Sequence, residues 1–440
     1  VGYMDPGNWA TDLEGGARFG YELVWVLIVS NAIALLLQTL SARLGIVSGR
    51  DLASACREQY AKPIALALWG LAEVAIIACD LAEVLGSAIA LNLLFRVPLI
   101  GGALITSLDV VLILALQRRG IGRLESIVCI LLATIAACTV VELTMIRPSG
   151  RALVHGLVPK LNGRNLYVAI AILGATVMPH NLYLQSALLR DRARDQPSRQ
   201  KSALRRSLWS TALALNLALL INAGLLVLSA CVFGGRGHPI TDLREAYRLL
   251  APIVGTQAAA VLFAVGLLCS GQSATISGTL AGQIVMEGFL QLRISPLLRR
   301  AITRGLAIVP ALLILAWLGD DAVMPLLIAT QVVLCLQLPF AVVPLIRFTN
   351  ARALMGDHQS RASLRVLALL CAALLTVANG VLVARTVADL RALHPGLSLL
   401  LAAISGIAAA LLFAIAVVPL RDERSPGAVG LVGSTNDANG

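Results

Sequence analysis

The chain has 440 residues, 58% hydrophobic and only 13% charged, with a mean hydropathy of +0.84. That balance excludes a soluble globular domain and defines a polytopic membrane protein, because about 20 apolar residues at 1.5 Å each match the hydrocarbon thickness and such runs recur from end to end. The formal net charge of +11 is read as a record of topology in the loops, not as a surface for nucleic acid or anionic substrates.

Taken in chain order, hydropathy and helix breakers predict spans over 1–18 (interrupted), 21–48, 63–94, 98–117, 124–146, 166–190, 207–233, 253–289, 301–319, 322–347, 363–386 and 397–420. These are eleven whole helices and the remnant of a first, so the chain is expected to begin partway along its first helix. Residues 1–420 form a single transmembrane domain, and 421–440 read as a polar, disordered tail. The stretch 242–250, DLREAYRLL, predicts a short amphipathic helix outside the membrane. With the N-terminus on the cytoplasmic side, 24 of the 35 Lys and Arg fall in loops of that side and 11 on the other. That bias orients the chain.

The first span opens GYMDPGNWATD, where Asp5 is followed by Pro6, Gly7 and Asn8. The sixth contains GATVMPHNLYLQS, with Pro179 between Met178 and His180. Proline cannot donate a backbone hydrogen bond and clashes with the preceding turn, and a carbonyl freed in hydrocarbon must line a polar cavity or bind something. A five-helix repeat places its first helix at spans 1 and 6, and an odd number of helices inverts the second copy. Matching breaks in two inverted halves are the sequence mark of a transporter's central site. Each break has a plain explanation alone: a proline kinks a helix, a methionine packs, a histidine caps a carbonyl. Together, Asp5, Asn8, Met178 and His180 are a ligand set. Carboxylate and amide alone suit Na⁺, Ca²⁺ or Mg²⁺, and the thioether shifts the preference toward Mn²⁺, Fe²⁺, Co²⁺ or Cd²⁺.

The third span carries LAEVAIIACDLAEVLGSA, with Glu73, Asp80 and Glu83. Offsets of seven and ten residues put all three on one helical face, within roughly 80° at about 100° per residue. Such a row is either a static ion-pair network or a proton relay. Asp109 in the fourth span has no assigned role. The eight cysteines lack any CxxC pair and read as small core hydrophobes; His155, His238, His358 and His394 fall in loops and read as solvated.

DPGN at 5–8 and MPH at 178–180, with the flanking GYMDPGNWATDLEGGARFGY, LSARLGIVSGRDL, CDLAEVLGSAIA, GATVMPHNLYLQSALL and QVVLCLQLPF, resemble the signature motifs of the Nramp (natural resistance-associated macrophage protein) family of divalent metal transporters, and within it the bacterial proton-coupled manganese branch. The resemblance runs over all twelve spans. It implies a LeuT-type fold, all-α, with two inverted five-helix repeats (spans 1–5 and 6–10) plus two further helices, and with spans 1 and 6 unwound mid-membrane. It implies metal held by the side chains of Asp5, Asn8 and Met178 and the carbonyls of Ala175 and Gly2, with Gln331 and Asn222 nearby. Met178 is then the selectivity element. It also implies a proton path through His180, Glu73, Asp80, Glu83, Arg299 and Arg300. Where many relatives carry a second histidine, this chain has Gln185, which cannot titrate.

The expected function is secondary active import of Mn²⁺ and Fe²⁺, with Cd²⁺ and Co²⁺, coupled to proton co-transport, by a multi-pass inner-membrane protein that is not an enzyme. Metal and protons are substrates; no cofactor, nucleic acid or obligate protein partner is expected. Three other readings stay open: a metal uniporter or channel without coupling, an amino-acid or Na⁺-coupled transporter of the same fold, and a membrane metalloenzyme. The HExxH-like spacing that the last would use is absent.

Overall fold

The computed structural model describes residues 3–106, 121–146, 148–190, 197–234, 257–292, 295–319 and 322–421, all of them helix or connection. In chain order the principal helices are α1 (Pro6–Phe19), α2 (Val24–Ser48), α3 (Leu52–Gln59), α4 (Lys62–Phe95), α5 (Leu99–Thr106) and α6 (Ile121–Ile146). They continue as α7 (Gly150–His155), α8 (Leu166–Val177), α9 (Pro179–Arg190), α10 (Pro197–Phe233), α11 (Gln257–Leu290) and α12 (Pro296–Leu318). The last are α13 (Val323–Asn350), α14 (Arg352–Met355), α15 (Ala362–Leu393) and α16 (Pro395–Val417).

Among the described residues nine helical segments are long and apolar enough to cross a membrane, counting α8 and α9 together. The other three expected spans are the 14-residue α1, the fourth, of which α5 is the described part, and the ninth, whose apolar stretch within α12 is Ile302–Trp317. Asp109, the 242–250 segment, His238 and the tail beyond Arg421 lie outside the described residues.

Exchanging each of the first five spans for its counterpart in the second five maps the α1–α10 pair onto α8/α9–α2, and α4–α13 onto α11–α6. All of these pairs are in extensive contact, and α4–α11, which maps onto itself, is the largest interface of the molecule. That is the contact pattern of two interlocked repeats. By contrast α15 and α16 lie at the edge: only 28% and 6% of their most apolar windows are buried, so they present leucines, Ile407 and Phe413 to lipid.

The breaks form where the sequence removes donors, with one refinement. Pro6 does not break the first helix but starts it, at the first helical position where its missing N–H costs nothing. Asp5 is the N-cap, with φ −124° and ψ 168°. Its Oδ1 accepts from the Asn8 amide at 2.8 Å, while Asn8 Oδ1 accepts from the Asp5 amide at 3.0 Å. Such reciprocal capping satisfies two otherwise orphaned donors and contributes about 1 kcal/mol. In the sixth span the helix stops at Val177 and restarts at Pro179; Met178 between them has φ 43° and ψ 96°. A positive φ on a side chain of that size costs on the order of 1–3 kcal/mol, and such strain gathers at functional sites.

Close backbone approach holds α1 against α10. The Ser229 hydroxyl donates to the Leu13 carbonyl at 2.5 Å, and a Cβ at Gly16 would fall onto the Leu226 carbonyl oxygen. Gly70 of α4, in contrast, has nothing within 4 Å of its Cβ position. In detergent, Gly16→Ala is therefore expected to lower heat stability by about 1–3 kcal/mol through overpacking. Gly70→Ala is expected to hold or raise it by up to about 1 kcal/mol. Equal midpoints for the two variants would contradict this packing.

Candidate metal centre

The two interruptions meet on α13. The Gln331 side-chain amide occupies the space where a Cβ of Gly7 would stand, and the Gln331 carbonyl does the same for Gly174. One residue of the tenth span thus touches the first turn of α1 and the last turn of α8. Gln331 Nε2 donates to Asp5 Oδ2 at 3.5 Å and to Thr330 Oγ1 at 3.2 Å, while its Oε1 is buried without a partner. Asp5, Asn8, Ala175, Met178 and Gln331 are all within 1% of complete burial.

Around this junction the donors are mixed. Asp5 Oδ1 and Asn8 Oδ1 are engaged in the cap, which leaves Asp5 Oδ2 and the second lone pair of the Asn8 carbonyl. The Ala175 carbonyl has lost its helical donor, because position 179 is a proline; the Met178 amide goes to Gly174 instead, at 3.2 Å. Met178 itself is held by Asn181, whose amide donates to the Met178 carbonyl at 3.0 Å and whose Nδ2 approaches Met178 Sδ at 3.3 Å. Asn181 was not singled out from sequence; its place three residues after a break, where it folds back on the residue in the strained conformation, is the signal that was there to find. Asn222 is buried on α10 with its Oδ1 unpartnered. Gly2 lies outside the described residues. Among the described residues no three His, Cys, Asp or Glu side chains converge on one point, so a cation here depends on amide, carbonyl and thioether donors beside Asp5.

His180 is the second residue of α9 and is buried, with Nδ1 unpartnered and Nε2 4.0 Å from Cys79 Sγ on α4. It therefore faces the third span. The acids of that span lie along it as their spacing predicts, with Asp80 and Glu83 fully buried. Arg299 pairs with Glu73 at 3.3 Å, and Trp69 Nε1 also donates to Glu73, at 3.1 Å. The side chain of Arg300 lies outside the described set. Glu83 is met by Arg304, at 3.2 Å, with side chains 3% and 0% exposed. Arg304 stands one helical turn beyond the expected pair, on the same face as Arg300 at about 400°, and its Nη2 also donates to the Thr106 carbonyl at 3.2 Å. Gln185 turns to α10, within 3.2 Å of Thr211 and 3.4 Å of Ser207, beside a cavity that also reaches Tyr3 and Glu125.

Fold and site together define a class: a LeuT-type membrane protein with a polar, cation-suited centre where two interrupted helices meet. The family model "Natural resistance-associated macrophage protein-like" matches residues 1–385. The chain belongs to the Nramp family. It is 51% identical over 385 residues to the divalent metal cation transporter MntH of Xylella fastidiosa, covering 86% of this chain and 82% of that one. It is also 51% identical over 370 residues to the natural resistance-associated macrophage protein 2 homolog of Dictyostelium discoideum, where the match takes 83% of this chain but spans only 59% of the longer relative. Among solved structures it resembles the Eremococcus coleocola manganese transporter, with TM-score 0.84, 35% identity, and 94% and 90% of the two chains covered. The transporter Mhp1, at TM-score 0.53 and 16% identity over 87% and 93%, shares the fold alone.

Removing one member of a buried pair leaves the other charge uncompensated. Arg304→Met is therefore expected to destabilise the protein by about 3–5 kcal/mol, and Glu83→Gln in the same chain to restore part of the loss. Heat unfolding in detergent reads both. Identical midpoints for the single and double variants would remove the pairing.

Proposed function

We propose that the chain is a secondary active transporter of divalent transition metal ions, Mn²⁺ and Fe²⁺ foremost and Co²⁺ and Cd²⁺ with them, which it imports together with protons. The observation that carries this reading is the meeting of the Asp5 carboxylate and the Pro179 break on either side of Gln331. A divalent ion taken up by Asp5 Oδ2, the Asn8 and Ala175 carbonyls and Met178 Sδ offsets the burial of a carboxylate in hydrocarbon. The thioether favours softer ions over Mg²⁺ and Ca²⁺.

The proton arm is supported by the α4 line. From the centre it runs past His180 to Glu83 and Asp80 and then to Glu73, which lies about 15 Å from Glu83 along the helix at 1.5 Å per residue. There a narrow cleft lined by Ile76, Thr279, Gln283, Arg299 and Thr303 flanks the Arg299–Glu73 pair. Glu73 is nearer the N-terminal end of α4, the end of the bundle that also holds Arg43 near the end of α2, Arg50, Arg57 of α3 and Lys62. That side is the cytoplasm under the positive-inside rule, in an inner membrane with the N-terminus inside. Asp5 also disfavours a carboxylate-bearing substrate such as an amino acid, since the two anions would share one dry cavity.

In proteoliposomes holding a pH indicator, the chain is expected to take up Mn²⁺ with acidification of the lumen. Asp5→Ala should cut uptake by more than about tenfold. Absent Mn²⁺ uptake, or uptake indifferent to Asp5→Ala, would end the site assignment; Mn²⁺ flux without acidification would favour a uniporter. Met178→Ala is expected to let Ca²⁺ or Mg²⁺ compete better with Mn²⁺, and unchanged competition would free Met178 from any selectivity role.

A further inference from the structure

The thiol of Cys79, read from sequence as a small core hydrophobe, stands between the metal centre and the acid line. It is 2% exposed. Its Sγ lies 4.0 Å from Asp5 Oδ2, 4.0 Å from His180 Nε2 and 3.6 Å from Glu83 Oε1. Two ligands bound about 2.1 and 2.3 Å from one ion are about 3.5 Å apart at the tetrahedral angle. The thiol is therefore within a few tenths of an ångström of sharing an ion with Asp5 on one side or with His180 on the other. The three neighbours surround the sulfur instead of converging on a common point, so the thiol adds to the centre and is not a closed site by itself.

Two buried atoms of the centre point the same way. His180 Nδ1 and Gln331 Oε1 have no hydrogen-bond partner, although each belongs to a side chain at least 97% buried. Buried polar atoms without partners cost on the order of 1–3 kcal/mol each, and small rotations of these two side chains around an ion would use them. Thiolate is softer than carboxylate, amide or thioether and selects ions of the cadmium and zinc type over manganese.

We propose that Cys79 is a ligand for thiophilic divalent ions, which it shares with Asp5 on one side or with His180 on the other, and that it sets how strongly the centre prefers Cd²⁺ to Mn²⁺. The inference rests on the transport site proposed above. Forming the metal–sulfur bond replaces the S–H bond; the proton leaves to the Glu83 carboxylate, and no electron is transferred.

The test is equilibrium binding of cadmium chloride and manganese chloride to the full chain in detergent, with the ultraviolet sulfur-to-cadmium charge-transfer band as a second readout. The unmutated protein is expected to show the band and to lose it as excess Mn²⁺ displaces Cd²⁺. Cys79→Ser and Cys79→Ala are each expected to abolish the Mn²⁺-displaceable band and to lower the ratio of Cd²⁺ to Mn²⁺ affinity by about tenfold, in the range seen for residues that tune a metal site. Having two variants guards against one that misfolds, and the band in the unmutated chain needs no variant at all. Asp5-dependent Mn²⁺ binding with no Mn²⁺-displaceable band, or with a ratio unmoved by either variant, overturns the role of Cys79 and leaves the transport site standing. Absence of Asp5-dependent Mn²⁺ binding overturns both.

Discussion

The structure turns on one missing amide. In hydrocarbon every backbone carbonyl needs a donor, and Pro179 withholds the one that Ala175 would use. The chain cannot leave that carbonyl against lipid, so both sides of the break are sunk in protein: 94% of the most apolar window across α8 and α9 is buried, the highest share among the nine membrane-length segments of the described residues. The same logic puts Asp5 at the head of α1, where its carboxylate caps the Asn8 amide. Interruptions that would be defects at the periphery become donors and acceptors facing each other across Gln331.

Covering two breaks explains much of the surrounding packing. Helices α1, α4, α8 and α9 all lie against α13, and α4 meets α11 along most of its length. The close approaches that this needs are bought with glycine, as at Gly7 and Gly174 against Gln331. Just past the first break, Trp9 stands edge-on to Phe263 with ring centroids 4.9 Å apart, tying α1 to α11. Helices α15 and α16 stand outside the interlocked pairs and touch the rest mainly through α13. They widen the lipid-facing surface without reaching either break.

What the sequence made legible was local. Proline, glycine and a buried acid at two matching places announce broken helices, and a seven- and ten-residue spacing announces one face of α4. Span boundaries came within a few residues for most helices, and the contribution of Pro6 needed only to move from breaking α1 to starting it. Pairings between distant elements were less visible. Arg299 and Arg304 are five residues apart on α12, and which acid each meets depends on how α12 leans against α4, a packing angle that no periodicity encodes. Cys79 is the sharper case. A cysteine in an apolar run is chemically ambiguous, and only the approach of α1 and α9 to α4 gives it Asp5 and His180 as neighbours.

The balance of buried charges is the physical ground for the metal–proton exchange proposed above. Along the line from Asp5 to Arg299 the described side chains include four carboxylates, Asp5, Glu83, Asp80 and Glu73, against two guanidiniums, Arg304 and Arg299. Glu83 and Glu73 have their arginines; among the described residues the bonds that reach the Asp5 oxygens come from its own helix cap, the Gln331 amide and the Cys79 thiol, none of them a cation. An ionised carboxylate with so little compensation costs several kcal/mol in such surroundings, and two occupants relieve it, a proton or a divalent ion. Either one excludes the other electrostatically from the same oxygen. Under the proposed function, proton release from Asp5 and metal entry are one event seen from two sides, with the acids of the adjacent helix as the proposed route for the displaced proton. A purely structural ion-pair network would be expected to give Asp5, fully buried at the junction of both broken helices, a cation of its own, and among the described residues none reaches it.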